Sequence, residues 1–475
     1  MSDSDEIYLH ASFPIPYRAL TLLSLGILGW ATNVHGLHKF GVDVVSTMDL
    51  RADASARSIP THNLAAGHHP KPVTVYRTIY SIFSSFSIFS FLSWCLYRMN
   101  TRGDRTLVDY YGYIPVITVL AILLVLVCPY NVMFKEERDR FLLSIRRCVF
   151  PPTGGPIYFS DVIFADIGTS FAKVFGELWL SLWMLKPGNS ILVPPVEDGL
   201  SRWVFPTVLA IPFFLRFRQC VIEYTAPSNT SQRPLYNALK YATSFPVIFL
   251  SAAQRFIASD IKHAADPWPG EHYLFRLWLL AAIVNSLYSF WWDVTNDWGL
   301  ELLKIDSPRK SPRQPPRQLV LGRLYSGTPL ISRSSLSLDS SSSDEAHVTA
   351  HEARASARVS PPPKLRYRQS CTGLRPVVMY PRAVYPVLIF LNLFLRMTWS
   401  VKLSTHVAST RDGTFGFFWL EVAEIFRRWL WVFVRVEWEM IKRAQEKLPT
   451  YPLQDSTEDG LDYEMVPATP EMAQT

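Results

Sequence analysis

The stretch GYIPVITVLAILLVLVCPYNVMF, residues 112–134, decides the fold class of this chain. It runs for 23 residues without an Asp, Glu, Lys or Arg. A helix needs about 20 mostly apolar residues to cross the hydrocarbon core of a bilayer. The stretch is therefore predicted to be a transmembrane helix, and similar stretches recur along the chain.

Eight further strong apolar segments lie before and after this stretch. They run approximately over residues 17–37, 78–98, 161–185, 203–224, 235–253, 272–294, 383–403 and 415–436. A weaker tenth candidate, Arg138 to Phe150, is more typical of an interfacial amphipathic helix. The composition agrees, since 49% of the 475 residues are hydrophobic and 14% are aromatic. The sequence predicts an all-α, polytopic transmembrane helical bundle of about nine or ten helices.

Polar segments divide the chain into predicted regions. These are a short polar N-terminus (1–16), a first set of membrane helices (17–304), a Ser/Pro/Arg-rich loop (305–376), the last membrane helices (377–442) and an acidic tail (443–475). Loop and tail bury too little apolar surface to offset the entropy of ordering, so we predict disorder there. Clustered Lys and Arg place both on the cytoplasmic side. With nine crossings the N-terminus is lumenal, and with ten it is cytoplasmic.

Charged side chains inside the apolar segments are the main functional signal, because each costs about 2.5–3.5 kcal/mol at the bilayer centre. In the fourth segment, a polar stripe along one helix face carries Asp166, Thr169, Lys173 and Glu177. Lys173 and Glu177, four residues apart, are explained as a salt bridge within the helix. Asp166 is not explained in this way and is the better functional candidate.

Two other segments carry charge near their ends. Lys240 and Tyr241 open the sixth segment and offer donors to an anion, although a Lys near a helix end can also reach the interface. Asp293 and Asp297 end the seventh segment four residues apart on one face. Like charges at that spacing repel, so a cation is expected between or opposite them.

The last two segments carry arginine. Arg396 has apolar residues on both sides and shares a helix face with Trp399. Glu424 is followed by Arg427 and Arg428, and we expect it to pair with Arg428 at i,i+4. One carboxylate cannot neutralise two arginines, so at least one of them must meet an acid from another helix or an anion.

Together these residues predict a polar, water-accessible cavity whose cationic side selects an anion. Phosphate fits best, because the planar guanidinium group binds its oxygens in a bidentate manner. Neutralising Arg396 is expected to abolish phosphate movement while leaving the protein folded.

Four stretches also resemble a known family. They are FSDVIFAD (159–166), LKYAT (239–243), WDVTNDWG (292–299) and FRRWLW (426–431). In this order they resemble the EXS-domain family, which includes the xenotropic and polytropic retrovirus receptor and the plant phosphate-loading proteins. The similarity runs from the first helix to about Lys442.

The resemblance implies a membrane transporter of inorganic phosphate that needs no cofactor. The residues that fall where the family lines its phosphate path are Asp166, Thr169, Lys240, Tyr241, Asp293, Asp297, Arg396, Trp399, Arg427 and Arg428. Trp399 matches an aromatic gate, and Thr169 stands where the exporters have an Asn.

The resemblance also bears on location. No SPX sensor domain fits before the first predicted helix near Tyr17, so the chain resembles the short fungal ER-retention-defective members of the Golgi membrane. The resemblance to these members implies that the protein returns phosphate from the Golgi lumen to the cytosol. It also implies retention of glycosylation enzymes and lumenal ER residents. The ER membrane is the alternative compartment.

Other functions stay open as alternatives. The loop and tail could recruit coat adaptors or glycosyltransferases, which would make the chain a sorting factor that transports nothing. An enzyme is disfavoured, because the sequence has no H-E-x-x-H, no D-H-H-C and no cysteine beside a base. Five widely spaced cysteines without a C-x-x-C predict neither a metal site nor a disulfide framework. No nucleic-acid partner is expected, and homodimerisation is left open.

Overall fold

A computed structural model of the chain describes eleven ranges. These are residues 11–48, 72–102, 104–151, 157–183, 199–261, 273–300, 302, 366–367, 374–375, 377–403 and 415–446. Most of the predicted loop, the tail beyond residue 446 and the first ten residues lie outside these ranges. Their predicted disorder therefore stays a prediction.

Helices make up most of the described residues. In chain order they are α1 (Ile15–Lys39), α2 (Val44–Thr47), α3 (Pro72–Thr101), α4 (Arg105–Tyr110), α5 (Tyr113–Val127), α6 (Lys135–Val149), α7 (Phe159–Ser170), α8 (Ala172–Trp183), α9 (Val204–Thr225), α10 (Arg233–Ala242), α11 (Ser244–Ile261), α12 (Tyr273–Trp292), α13 (Val384–Leu403) and α14 (Phe415–Glu446). A 3-10 turn (Gly199–Trp203) precedes α9, and a π-helix (Asp293–Asp297) continues α12. The two-residue strands β1 (Arg366–Tyr367) and β2 (Val377–Val378) pair antiparallel, with Arg366 opposite Val378. The predicted all-α class is confirmed.

Five helical stretches in the described part of the chain are long and apolar enough to span a bilayer. They are Ile15–Lys39, Val73–Thr101, Leu107–Val127, Ser201–Thr225 and Tyr273–Asp297. The other predicted segments do not meet this standard of length and apolar composition. Some are interrupted, some are shorter, and some contain charged residues along their length, as α14 does. The chain is a polytopic membrane protein.

Two segments predicted as continuous helices are broken, which corrects the sequence-based expectation. One break separates α7 from α8 at Phe171, whose ring packs so closely on α1 that a Cβ at Gly26 would lie 2.4 Å from it. The other separates α10 from α11 at Thr243, whose hydroxyl donates to the Lys240 carbonyl at 2.7 Å. Pro246 follows and has no N–H to continue the helical bonding. Both breaks lie next to the polar centre of the bundle.

Helix α6 lies across one end of the bundle. Near its start, Arg138 donates to the Cys128 carbonyl just after α5 (2.7 Å), and near its end Arg147 pairs with Asp161 of α7 (2.7 Å). The end of α8 packs in one apolar cluster with the first half of α5, so these two helices run antiparallel. The end of α5 and the start of α7 therefore share one end of the bundle. Helix α6 joins them there and is not a tenth crossing.

The first and last helices run parallel and in contact. Trp429 donates to Thr32 at 2.9 Å, and one turn further on Phe433 packs against Gly36. The two ends of the helical region consequently lie on opposite faces of the protein.

Candidate anion-binding site

A small cavity lies at the centre of the bundle, next to both helix breaks. Its volume is about 30 Å³, which is room for about two water molecules. Side chains from eight elements line it: Thr169, Phe213, Lys240, Tyr241, Ser244, Ser289, Asp293, Arg396, Glu424, Arg427 and Arg428.

The cavity lining carries an excess of two positive charges. Four of its side chains are cationic, one Lys and three Arg, and two are carboxylates, Asp293 and Glu424. Each of these six residues is at most 8% exposed. Charges in a buried site interact more strongly than charges in bulk water, so this excess favours an anion with one or two negative charges.

Asp293 is the carboxylate on one wall of the cavity. Its Oδ2 lies 2.5 Å from Arg396 Nη2 and 3.5 Å from Arg427 Nη1. Asn392 completes the group, because its Oδ1 accepts from Arg427 at 3.0 Å. The π-helix, α13 and α14 thus meet at a single carboxylate.

Glu424 is the carboxylate on the opposite wall. It pairs with Arg427 through two bonds of 2.7 and 2.8 Å, and Ser170 donates to it at 2.6 Å. The expected pairing of Glu424 with Arg428 is wrong. Arg428 instead points toward α7, where it donates to Ser170 at 3.0 Å and to Thr169 at 3.2 Å.

Arg428 is the cation without a carboxylate. Its guanidinium contacts two hydroxyl groups and lies 4.5 Å from the centre of the Trp431 ring. No carboxylate of the described residues comes within 4 Å of it, although only 8% of the residue is exposed. A buried guanidinium that lies beside a cavity and forms no direct ion pair is well suited to bind an oxyanion.

Asp166 lies behind the cavity wall. It accepts from Arg216 Nε at 2.8 Å and from the Tyr241 hydroxyl, and Arg216 also donates to Gln219 at 3.0 Å. Arg216 was not among the residues predicted from the sequence. It is an arginine inside the apolar segment 203–224, so the signal that singled out Arg396 was present there too. Asp166 and Arg216 orient Tyr241, which faces the cavity.

Asp297 lies beyond Lys240, toward the end of α14. Lys240 Nζ is 3.4 Å from Asp297 and 4.6 Å from the centre of the Tyr241 ring. Arg435 reaches the same carboxylate at 4.0 Å. Lys240 therefore connects the cavity with this second ionic layer.

The structure brings most of the predicted site residues together. Seven line the cavity: Thr169, Lys240, Tyr241, Asp293, Arg396, Arg427 and Arg428. Asp166 and Asp297 are buried next to it, and the side chain of Trp399 lies outside the described residues. Ser244 was expected among the hydroxyl donors that open the sixth segment. Phe213 and Ser289 were not predicted as lining residues, since a phenyl or a lone hydroxyl group in an apolar segment carries no charge signal. Their part in binding a substrate stays a prediction, as it does for the predicted residues.

No metal site accompanies the cavity in the described ranges. Searching them finds no group of three or more His, Cys, Asp or Glu side chains arranged to hold a metal ion. The donors around the cavity are instead Arg, Lys and hydroxyl groups, which suit an oxyanion.

Several known proteins are similar to this chain in sequence. Protein ERD1 homolog 1 of Schizosaccharomyces pombe is 28% identical over 60% of this chain and 58% of its own length. Protein ERD1 homolog 2 of the same yeast is 25% identical over 72% and 71%. Phosphate transporter PHO1 homolog 8 of Arabidopsis thaliana is 25% identical over 45% and 26%. The match to ERD1 homolog 1 thus spans less than two thirds of that protein.

The family-level match covers nearly all of the described helices and every residue that lines the cavity. The sequence model of the EXS family matches residues 13–441. On this match, the chain belongs to the EXS family.

Proposed function

We propose that this protein is a Golgi membrane transporter that moves inorganic phosphate from the lumen to the cytosol. Returning the phosphate released by glycosylation would in turn support the retention of glycosyltransferases and ER residents. The observation that carries the proposal is the buried cavity with an excess of two positive charges and an arginine, Arg428, without a carboxylate.

Phosphate matches this cavity in charge and in donor geometry. Three guanidinium groups, Arg396, Arg427 and Arg428, converge on it from α13 and α14. Each presents planar N–H donors to the oxygens of a tetrahedral anion. Two carboxylates already accept from these groups, so Asp293 and Glu424 stand where phosphate oxygens would bind. The cavity is small in this arrangement, and phosphate would enter by displacing them.

The relatives support the same substrate and the transporter class. One is named as a phosphate transporter, and family membership covers the whole cavity. The Golgi membrane, the direction of movement and the link to retention rest on the resemblance to the fungal ER-retention-defective members. A membrane transporter or a retention factor fits these findings better than an enzyme does.

The proposal is tested with purified protein in liposomes loaded with radiolabelled phosphate. The parent should release phosphate, and Arg428→Ala should release it at least tenfold more slowly. Arg428→Lys should lie between them, because a Lys keeps the charge and loses the planar donor fork. Arg140→Ala is the matched control, since Arg140 forms an exposed pair with Glu136 on α6. Release by the parent no faster than by empty liposomes would reject transport.

A sorting or retention factor is the second candidate function. The Ser/Pro/Arg-rich loop and the acidic tail favour it, since both resemble segments that recruit partners. Deleting residues 307–373 together with the tail after residue 450, and separately introducing Arg428→Ala, separates the two functions in cells. Mislocalised Golgi enzymes only after the deletion would favour sorting, and only after Arg428→Ala would favour transport.

A further inference from the structure

A second cluster of charge, partly buried, lies outside the cavity, toward the start of α14. Lys173 and Glu177 come from α8, and Glu421 comes from α14. Arg18 of α1 lies within electrostatic range of both glutamates. None of these side chains lines the cavity, and the proposed binding of phosphate leaves them unexplained.

The core of this cluster is an ion pair between two helices. Lys173 Nζ lies 3.1 Å from Glu421 and 3.9 Å from Glu177, so the predicted pair with Glu177 is present but is the longer one. The Glu421 side chain is 3% exposed, and that of Lys173 is 27% exposed. Lys173 also lies 4.9 Å from the centre of the Phe417 ring. A buried pair of this kind is weak evidence for stability, because desolvation offsets its attraction.

The Lys173–Glu421 pair lies one helical turn away from residues that line the cavity. Lys173 is one helical turn beyond Thr169, and Glu421 is one turn before Glu424. Thr169 and Glu424 both line the cavity. The pair is therefore the next polar layer along these elements, and the Lys240–Asp297 pair occupies the equivalent layer on the other side. The cavity therefore lies between two ion pairs, and Lys240 of the second pair also lines it.

The helix break provides a way for this layer to move. Thr169 belongs to α7, and Lys173 belongs to α8, on the other side of the interruption at Phe171. Helix α8 packs mainly on α9 and α1. The interruption at Phe171 means that Lys173 and the cavity wall at Thr169 belong to separate helices. Interrupted helices beside a central site are a common arrangement in transporters.

The charges of this cluster cancel one another. Its two cations and two carboxylates balance, so the closed layer does not itself attract an anion. Separating Glu421 from Lys173 would leave a free ammonium group next to a cavity that already has excess positive charge. An anion passing this point would then take the place of the Glu421 carboxylate.

We propose that the Lys173–Glu421 ion pair is a gate that closes the anion cavity at the end where α14 begins. The inference rests on the proposed function, since a gate presupposes passage. Its test nevertheless needs no phosphate, so the two can fail separately.

The test measures access to a cysteine placed in the cavity, Ser289→Cys, in proteoliposomes. The probe is the membrane-impermeant anionic thiol reagent sulfonatoethyl methanethiosulfonate, added to one side at a time. Chains without Ser289→Cys give the background from native cysteines. Glu421→Gln should raise the labelling rate at least tenfold from the side at which α14 begins and leave it unchanged from the other.

Two variants make the result specific. Exchanging the charges, as Lys173→Glu with Glu421→Lys, should return the rate to that of Ser289→Cys alone. Glu136→Gln, which breaks the exposed pair with Arg140, is the matched control and should change nothing. If Glu421→Gln does not elute as a folded species on size exclusion, Lys173→Gln tests the same pair.

Two outcomes would overturn the gate. In one, Glu421→Gln is labelled no faster than the control variant. In the other, the charge-exchange variant is labelled as fast as Glu421→Gln. Normal gating in a parent that moves no phosphate would reject the transport proposal and leave the gate in place.

Discussion

Arg396 Nη2 lies 2.5 Å from Asp293 Oδ2, although 103 residues separate the two in the chain. Their side chains are 10% and 1% exposed, so both charges are removed from water. Such a pair is costly to break on one side only, because the remaining charge stays buried. The pair thus has two roles: it stabilises the meeting of α13 with the π-helix, and it keeps a guanidinium in place for an incoming oxyanion.

Removing Arg396 should therefore impair folding as well as transport, which changes the expectation from sequence alone. We expect Arg396→Leu to lower the free energy of unfolding by about 3 kcal/mol, the low end for a broken buried pair, since Arg427 also lies 3.5 Å from Asp293. Thermal unfolding in detergent measures this. Adding Asp293→Asn to the variant should recover most of the loss. If Arg396→Leu alone were as stable as the parent, the Arg396–Asp293 pair would not have the structural role described.

Phosphate should stabilise the protein in proportion to its binding. At a phosphate concentration about 100 times the dissociation constant, binding to the native state contributes about 2.7 kcal/mol. The midpoint of thermal unfolding should rise with phosphate in the parent and much less in Arg428→Ala. That variant should itself fold normally, because the described residues leave no carboxylate paired with Arg428. Chloride at equal ionic strength is the control, and an equal rise with chloride would speak against a phosphate site.

Glu437 should be essential for anchoring the segment that precedes α13. Its Oε1 accepts from the Met379 amide at 2.7 Å and from the Tyr385 hydroxyl at 2.6 Å. Its Oε2 lies 2.6 Å from Arg375. Glu437→Ala leaves a buried guanidinium without its carboxylate, so we expect a loss of about 3–5 kcal/mol.

Two measurements check the role of Glu437. Thermal unfolding should show the loss of stability, and trypsin should cleave faster after Arg382, which lies in the same segment before α13, in the variant. Glu136→Ala on α6 should change neither, because Glu136 is 81% exposed. Unchanged cleavage after Arg382 together with unchanged stability would exclude the anchoring role.

Gly299 should tolerate no side chain. It has a φ of +63°, and a Cβ there would lie 2.4 Å from the Trp438 ring. Gly299→Ala is expected to destabilise the protein by at least about 1–2 kcal/mol, from backbone strain together with the close contact. Gly168→Ala is the matched control, because nothing lies within 4 Å of its Cβ. In a helix this change should be neutral or stabilising by up to about 1 kcal/mol. Equal melting points of the two variants would refute the prediction.

The sequence was sufficient to predict the membrane class, the locations of the helices and the presence of charge inside them. Each predicted apolar segment contains a helix in the described part of the chain. These properties are local, because about 20 neighbouring residues decide whether a helix can span a bilayer. A charge such as Arg396 is likewise visible from the apolar residues that flank it.

The partners of those charges depended on the tertiary structure. Glu424 pairs with Arg427 and not with Arg428, because the facing helix α7 presents two hydroxyl groups to Arg428. Lys173 lies closer to Glu421, from a helix almost 250 residues away in sequence, than to Glu177 one turn away. Helical spacing gives only the neighbours on one helix. Which other helix lies opposite is a matter of packing, and packing decides which cation is left free for an anion.

The breaks at Phe171 and Thr243 and the position of α6 were also decided by packing. A ring lodged against Gly26 and a hydroxyl bonded to Asn285 at 2.9 Å come from helices that are distant in the chain. Hydrophobic periodicity cannot register such contacts, since it averages over one segment at a time. The sequence by itself thus determined that the chain crosses the membrane with buried charge. The tertiary structure decided where the helices break and which buried charges meet, because both depend on contacts between distant segments.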